Sequence, residues 1–203
     1  MADSEHEADR TAISLPPGSA KSFYSSIVFP TWLLARNPKF KILCVSAGES
    51  LAEDFARRRR SILLSKSWSK LSESTLSPDA RSLSFQGTVE GGGIYAVGAG
   101  SIIPGLRADI LIADDLVTGH EQAGNLSQLD KLWNWYSSEA RPRLRGQSYY
   151  AQGLELLIAT RWALLDPIGR VLRLNHEGEE KWRYIRIPMV CDTEDDLVGR
   201  EIG

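Results

Sequence analysis

The sequence predicts an α/β fold, three-layered, with a mostly parallel central sheet between helices. Three observations carry this. The apolar runs at residues 41–46, 110–113 and 154–160 are too short for core helices and fit strands covered on both faces. Segments with helical spacing of apolar residues lie between them, and alternation of strands with helices implies a parallel sheet. Finally, the run at 110–113 ends in two adjacent carboxylates, Asp114 and Asp115. Two acids where a buried strand emerges need a partner, and open α/β sheets place their ligands at the carboxyl ends of strands.

The elements follow in order. Residues 10–15 form a short strand, and 16–22 a loop rich in Pro, Gly and Ser. Residues 23–34 are predicted helical. A strand at 41–46 leads to a helix at 50–65, with Ser50 as N-cap and Glu53 three residues on completing a capping box. The Ser-rich stretch 67–78 is expected to be a helix-to-loop connector. Residues 83–85 and 93–97 pair as strands across the turn Gly91-Gly92-Gly93. After the acidic-ended strand, 127–138 is helical, with Leu129, Leu132, Trp133 and Tyr136 on one face. Strands at 154–160 and 182–190 close the series. There is no internal repeat or heptad.

The loop Pro16-Pro17-Gly18-Ser19-Ala20-Lys21-Ser22 fits a phosphate cradle. Such a loop binds phosphates with backbone N–H groups at a helix N-terminus. Its Lys reaches the β/γ-phosphates and its hydroxyl binds Mg²⁺, roles that Lys21 and Ser22 could fill. The sequence departs from G-x-x-x-x-G-K-[ST] twice, with Leu15 and Ala20 at the glycine positions. A loop with a solvated lysine is the plainer alternative. The Asp114-Asp115 strand downstream has the character of a Walker B segment, in the required order. The spacing, 114 − 21 = 93 residues, leaves room for one further βα unit and a hairpin. Together they point to an ASCE-type P-loop NTPase.

Over nearly its whole length the chain resembles the ATPase part of a tailed-phage (prophage) terminase large subunit. The matching segments are Leu15 to Ser22, Phe29 to Pro38, Lys41 to Ser46, Leu51 to Phe55, Gly105 to Asp109 running into Asp114-Asp115, and Trp133 to Tyr136. The most specific is Ile158-Ala159-Thr160-Arg161-Trp162, with Asp166, Gly169 and Arg170 behind it. The family's usual His and second acid after this motif are replaced by Ala163-Leu164-Leu165. The resemblance implies Mg²⁺-dependent ATP hydrolysis coupled to translocation of double-stranded DNA into a capsid. ATP would sit on Gly18, Ser19, Ala20, Lys21 and Ser22. Ser22 would bind Mg²⁺, and Asp114 would hold it through water. Asp115 would orient and deprotonate the attacking water. Thr160 would sense the γ-phosphate. The implied partners are a portal protein, a small terminase subunit and further copies in a ring, in the cytoplasm of a bacterial host.

The resemblance also sets expected boundaries: a disordered tail at 1–9, an ATPase domain at 10–190, and at 191–203 the start of a linker toward a missing nuclease domain. A catalytically inactive truncated remnant and a helicase-like P-loop translocase are the alternatives.

Composition agrees with a globular domain: 203 residues, 42% hydrophobic, 25% charged, net charge −2. No run approaches the roughly 18 apolar residues of a membrane span. Cys44 and Cys191 make no disulfide scaffold; Cys44 is expected in the core. His6, His120 and His176 lack metal spacing. Arg57 to Arg60 could grip DNA phosphates or form a solvated face. Trp133, Trp135 and Tyr136 are more plausibly core than base-stacking. Arg141, Arg143 and Arg145 could include an arginine finger or be surface residues; Arg107 and Arg161 lie nearer strand ends.

Overall fold

The computed structural model describes residues 10–103, 105–145 and 153–203; the tail expected at 1–9 lies outside them. The first half contains β1 (Arg10–Ser14), α1 (Lys21–Phe23), a π turn (Tyr24–Val28), α2 (Phe29–Arg36), β2 (Lys41–Ser46), α3 (Glu49–Leu63), α4 (Trp68–Leu71), β3 (Leu76–Arg81), β4 (Phe85–Thr88) and β5 (Gly93–Gly98). The second half contains β6 (Ile110–Asp114), α5 (His120–Ala123), α6 (Leu126–Trp135), a second π turn (Tyr136–Ala140), β7 (Leu154–Ala159), α7 (Pro167–His176) and β8 (Arg183–Arg186).

The eight strands form one sheet, in the order β3-β4-β5-β2-β6-β7-β1-β8. From β5 to β8 every neighbouring pair is parallel; β3 and β4 are antiparallel additions at one edge. Side chains alternate across a strand, and the core divides accordingly. Ile42, Cys44, Ile110 and Ile112 pack with Leu33, Leu34, Leu63 and Trp68. Leu43, Val45, Leu111, Ala113 and Leu157 pack with Leu129, Leu132, Tyr136, Ile168 and Val171 on the other face. These are the three layers that the sequence predicts. Among the described residues no helix is long and apolar enough to cross a membrane.

Several elements differ from expectation. The helix expected at 50–65 starts at Glu49 with Gly48 as N-cap and no side-chain cap, so Ser50 and Glu53 form no capping box. The cause is packing: the start of α3 lies so close to β5 that a Cβ on Gly98 would sit 2.3 Å from the Glu49 nitrogen. The connector at 67–78 contains α4 and runs into the edge strand β3, whose inward Leu76 is buried. β4 begins at Phe85, later than expected, and pairs with β5. β8 is shorter than 182–190. The helix α7 was not anticipated. Its signals were local: Asp166 caps it by accepting from Gly169 N (2.8 Å), and Pro167 takes the first position, where its missing N–H costs nothing.

Cys44 is buried, and burial pushes its thiol up to about 11. Tyr136 is fully buried, and Trp133 and Trp135 pack against the same core, so this cluster is structural. At the amino edge of the sheet a buried polar clamp ties β7 to its surroundings. Glu155 is 2% exposed. It accepts from Tyr136 Oη at 2.7 Å and pairs with Arg141 Nε at 2.8 Å and Arg10 Nε at 3.3 Å. Arg141 also reaches Glu180 through both terminal nitrogens, at 2.9 and 2.8 Å. Burial opposes the Arg141 charge, but the two carboxylates outweigh it and raise its pKa.

Glu155→Ala removes the buried acceptor of Tyr136 Oη and one of the two carboxylates that face Arg141 and Arg10, leaving Glu180 as their partner. With Glu180 still in place it should cost about 2–3 kcal/mol, less than the roughly 3–5 kcal/mol of a fully broken buried ion pair, read as a lower urea midpoint at unchanged slope.

Candidate active site

The loop after β1 curls back on itself. Gly18 has φ +76° and Ala20 has φ +57°, ψ +18°. Ala20 is the N-cap of α1 and offers no side-chain acceptor. The first-turn N–H groups of a helix have no intrahelical acceptors, so this end presents donors and the positive end of a dipole. Ala20 stands where the motif has its second glycine, and it adopts the left-handed conformation that glycine would supply.

From Lys21 to Arg36 the backbone stays helical but passes through the π turn at Tyr24–Val28. Pro30 explains part of this. It has no N–H for the carbonyl of Ser26, four residues earlier. Thr31 Oγ1 donates to the carbonyls of Ile27 (2.9 Å) and Val28 (2.7 Å). Arg59 Nη1 donates to the carbonyl of Ser26 at 2.5 Å.

β6 brings the acids to the same place. Asp114 shares the parity of Ile110 and Ile112, so its carboxylate faces the layer of α1 and α2. There Ser26 Oγ donates to Asp114 Oδ2 at 2.7 Å. Asp114 is 1% exposed. Burial raises its carboxyl above the ordinary carboxylate range. The Ser26 and Ser22 hydroxyls oppose that shift, and the charge of Asp115 adds to it.

Consecutive strand residues point to opposite faces, but the strand ends at Asp114. Asp115 has φ +49°, a left-handed turn that Asp tolerates better than most residues. The turn brings Asp115 Oδ2 to 2.9 Å from Lys21 Nζ, while Oδ1 accepts from Thr160 N at 2.9 Å. β7 lies between β1 and β6, so Lys21, Ser22, Asp114, Asp115 and Thr160 all reach one carboxyl edge. Leu15 N donates to the carbonyl of Ala159 (3.2 Å) and Asp115 N to that of Ile158 (2.8 Å), locking the three strand ends together.

Several buried polar atoms here have no protein partner: Ser19 Oγ, Asp114 Oδ1 and Thr160 Oγ1. Buried polar atoms are normally satisfied, so this is chemistry suited to an absent polar ligand and cation. Among the described residues no group of three or more His, Cys, Asp or Glu could hold a metal alone. A Mg²⁺ ion needs only one or two carboxylates besides waters and phosphate oxygens, and the unpartnered Asp114 Oδ1 offers one. Ser22 and Asp114 would hold it.

The other candidate residues fall elsewhere. Arg141 is committed to Glu155 and Glu180, so it is not available as a finger. Arg143 lies 3.6 Å from Glu139, Arg145 pairs with Asp109, and Arg107 donates to the carbonyl of Pro142. Arg161 Nε lies 2.9 Å from Asp166 and is part of the turn into α7. The Arg57 to Arg60 run is not one face: Arg57 and Arg58 pair with Asp54, whereas Arg59 is buried. Ser26 and Arg59 are the site neighbours that the sequence did not reveal. Pro30, which frees a carbonyl one helical turn earlier, was the available signal.

The strand order defines the class. Reading β8-β1-β7-β6-β2, a strand is inserted between β1, which leads into the Gly18–Ser22 loop, and β6, which ends in the two acids, the strand order of the ASCE-type fold that the sequence predicts. Among solved structures the chain is similar to the HK97 bacteriophage large terminase, with a TM-score of 0.56 at 14% identity over 94% of this chain. It spans 37% of that protein's length, and at this identity the likeness is one of fold. No family model matches the chain, and no curated protein does.

Ala20→Gly should raise stability. A left-handed alanine costs about 1–2 kcal/mol, of which glycine's larger unfolded-state entropy returns roughly half. The expected gain is about 0.5–1 kcal/mol in denaturant unfolding. An unchanged or lower midpoint would mean that Ala20 is not held left-handed.

Proposed function

We propose that the chain is a terminase-like motor domain that binds and hydrolyses ATP with Mg²⁺. The observation that supports this most is the contact of Lys21 with Asp115 beside the buried Asp114. It joins a phosphate-loop lysine to the end of an acidic strand across an inserted β7.

Gly18 to Ser22 would receive the phosphates through backbone N–H groups. Lys21 would leave Asp115 for the β/γ-phosphates, exchanging one anionic partner for another. That exchange frees an Asp115 oxygen to orient and accept a proton from the attacking water. Mg²⁺, when bound, supplies charge neutralisation on the phosphate oxygens. The backbone N–H of Thr160 fixes the other Asp115 oxygen, so a movement at the γ-phosphate would reach β7 directly. Residues 10–190 would be the motor domain and 191–203 the start of a connection to a further domain. Duplex DNA, a portal protein, a small terminase subunit and a ring of copies are the partners this reading assigns, in a bacterial host cytoplasm.

The test is ligand-dependent thermal stability with phosphate release. Saturating Mg·ATP should raise stability by about 2.7 kcal/mol at a hundredfold excess over Kd, and Lys21→Ala should abolish the shift. Asp115→Asn should keep binding and lose turnover, since an amide takes no proton. Binding without phosphate release in the unaltered chain would leave a nucleotide-binding module and overturn the hydrolytic assignment. Equal loss of binding in Asp114→Asn and Asp115→Asn would show that the two acids do not divide the work.

Asp114→Asn carries a second expectation. It removes a buried charge, so the nucleotide-free protein should unfold at a higher temperature than the parent while its Mg²⁺-dependent shift shrinks. Differential scanning calorimetry with and without Mg·ATP measures both; a less stable nucleotide-free variant would count against a destabilising buried carboxylate.

A further inference from the structure

Arg59 is 1% exposed, among the largest fully buried side chains of the described residues. It forms no ion pair with any described carboxylate. Its Nη1 donates to the carbonyl of Ser26 at 2.5 Å, its Nε lies 3.4 Å from Gln86 Oε1, and its Nη2 has no partner. Gln86 is itself fully buried and donates back to the carbonyl of Ala56 on α3. Burying an unpaired guanidinium costs several kcal/mol. A lone carbonyl freed by Pro30 could be satisfied far more cheaply by a hydroxyl or an amide.

What lies beyond Ser26 accounts for the charge. Ser26 gives its carbonyl to Arg59 and its hydroxyl to Asp114 Oδ2. One residue of the π turn thus joins a buried cation to a buried anion. The Arg59 charge lowers the Cys44 thiol and the Asp114 charge raises it, both secondary to burial. π turns interrupt helices at functional sites because they redirect a single residue, here Ser26.

We propose that Arg59 is a positioning residue for the metal end of the site. It clamps the Ser26 carbonyl, fixes the π turn, and so keeps Asp114 Oδ2 engaged by the Ser26 hydroxyl and Asp114 Oδ1 free for a cation. The inference rests on the nucleotide-binding reading above, and it links α3 and β4, through Gln86, to the Mg²⁺ position.

The experiment is a Mg²⁺ titration of ATP-dependent thermal stabilisation, with a parallel series in EDTA, on the full chain. Arg59→Gln should raise the Mg²⁺ concentration at half effect by about tenfold, the usual consequence of losing an outer-shell support. Stabilisation by metal-free ATP should be unchanged. Ser26→Ala should show the same selective defect, and Ser26→Ala/Arg59→Gln should be no worse than the more severe of the two single variants. Arg59→Lys keeps a cationic donor and should recover most of the loss. Should Arg59→Gln fail to fold, Ser26→Ala and Arg59→Lys carry the test: a Mg²⁺ midpoint unmoved in Ser26→Ala, or moved as far in Arg59→Lys as in Ser26→Ala, would overturn the clamp. An unmoved Mg²⁺ midpoint in Arg59→Gln, or an equal loss with and without metal, overturns this inference alone. A parent chain that shows no nucleotide shift overturns the nucleotide-binding reading and this inference with it.

Discussion

The site depends on one topological constraint, the insertion of β7 between β1 and β6. It fixes the end of β1, which leads into the Gly18–Ser22 loop, and the end of β6, which carries the two acids, one strand apart. With it, Ala159 and Ile158 accept from Leu15 and Asp115, and Thr160 N holds Asp115 Oδ1. Three chain segments more than forty residues apart in sequence are fixed to within hydrogen-bond distance by main-chain groups. A site made this way needs few specialised side chains, because the ladder sets the distances.

The ladder also decides how two adjacent acids differ. Parity sends Asp114 into the helical layer, where the Ser26 hydroxyl meets it and its charge is costly. The left-handed turn at Asp115 ends the strand and swings the next carboxylate back over the edge, toward Lys21 and partly into solvent. One acid is buried and one is half-buried, one faces a hydroxyl and the other an ammonium. Groups whose environments differ so sharply are suited to different chemical tasks.

Much of this was legible in the sequence. The strands at 41–46, 110–113 and 154–160 were visible because their centres are buried and carry short apolar runs, Ile42 to Val45, Ile110 to Ala113 and Leu156 to Ala159. The convergence of Lys21, Asp114 and Asp115 followed from motif order and the rule that ligands lie at strand carboxyl ends, and Thr160 was added to them by the family resemblance of the Thr160-Arg161-Trp162 segment. The rest needed tertiary contact. The cap at Gly48 is set by the approach of Gly98 on β5, a contact between segments fifty residues apart that no local pattern shows. β3 is a polar edge strand with one buried residue, Leu76, so it carries no alternation to read. Arg59 looked like its three arginine neighbours because nothing in a run of four cations says which one points inward.

Ala20 shows why residue identity is an incomplete guide here. The phosphate-loop pattern specifies glycine because its backbone must turn left-handed and approach a ligand closely. The structure meets the first requirement with alanine, at an energetic cost, and places the other left-handed residue at Gly18, where the added Cβ would meet no atom within 4 Å. What the loop must provide is a path of dihedral angles, and more than one sequence can trace it. A comparison of residues sees two missing glycines, whereas a comparison of backbones sees the curl.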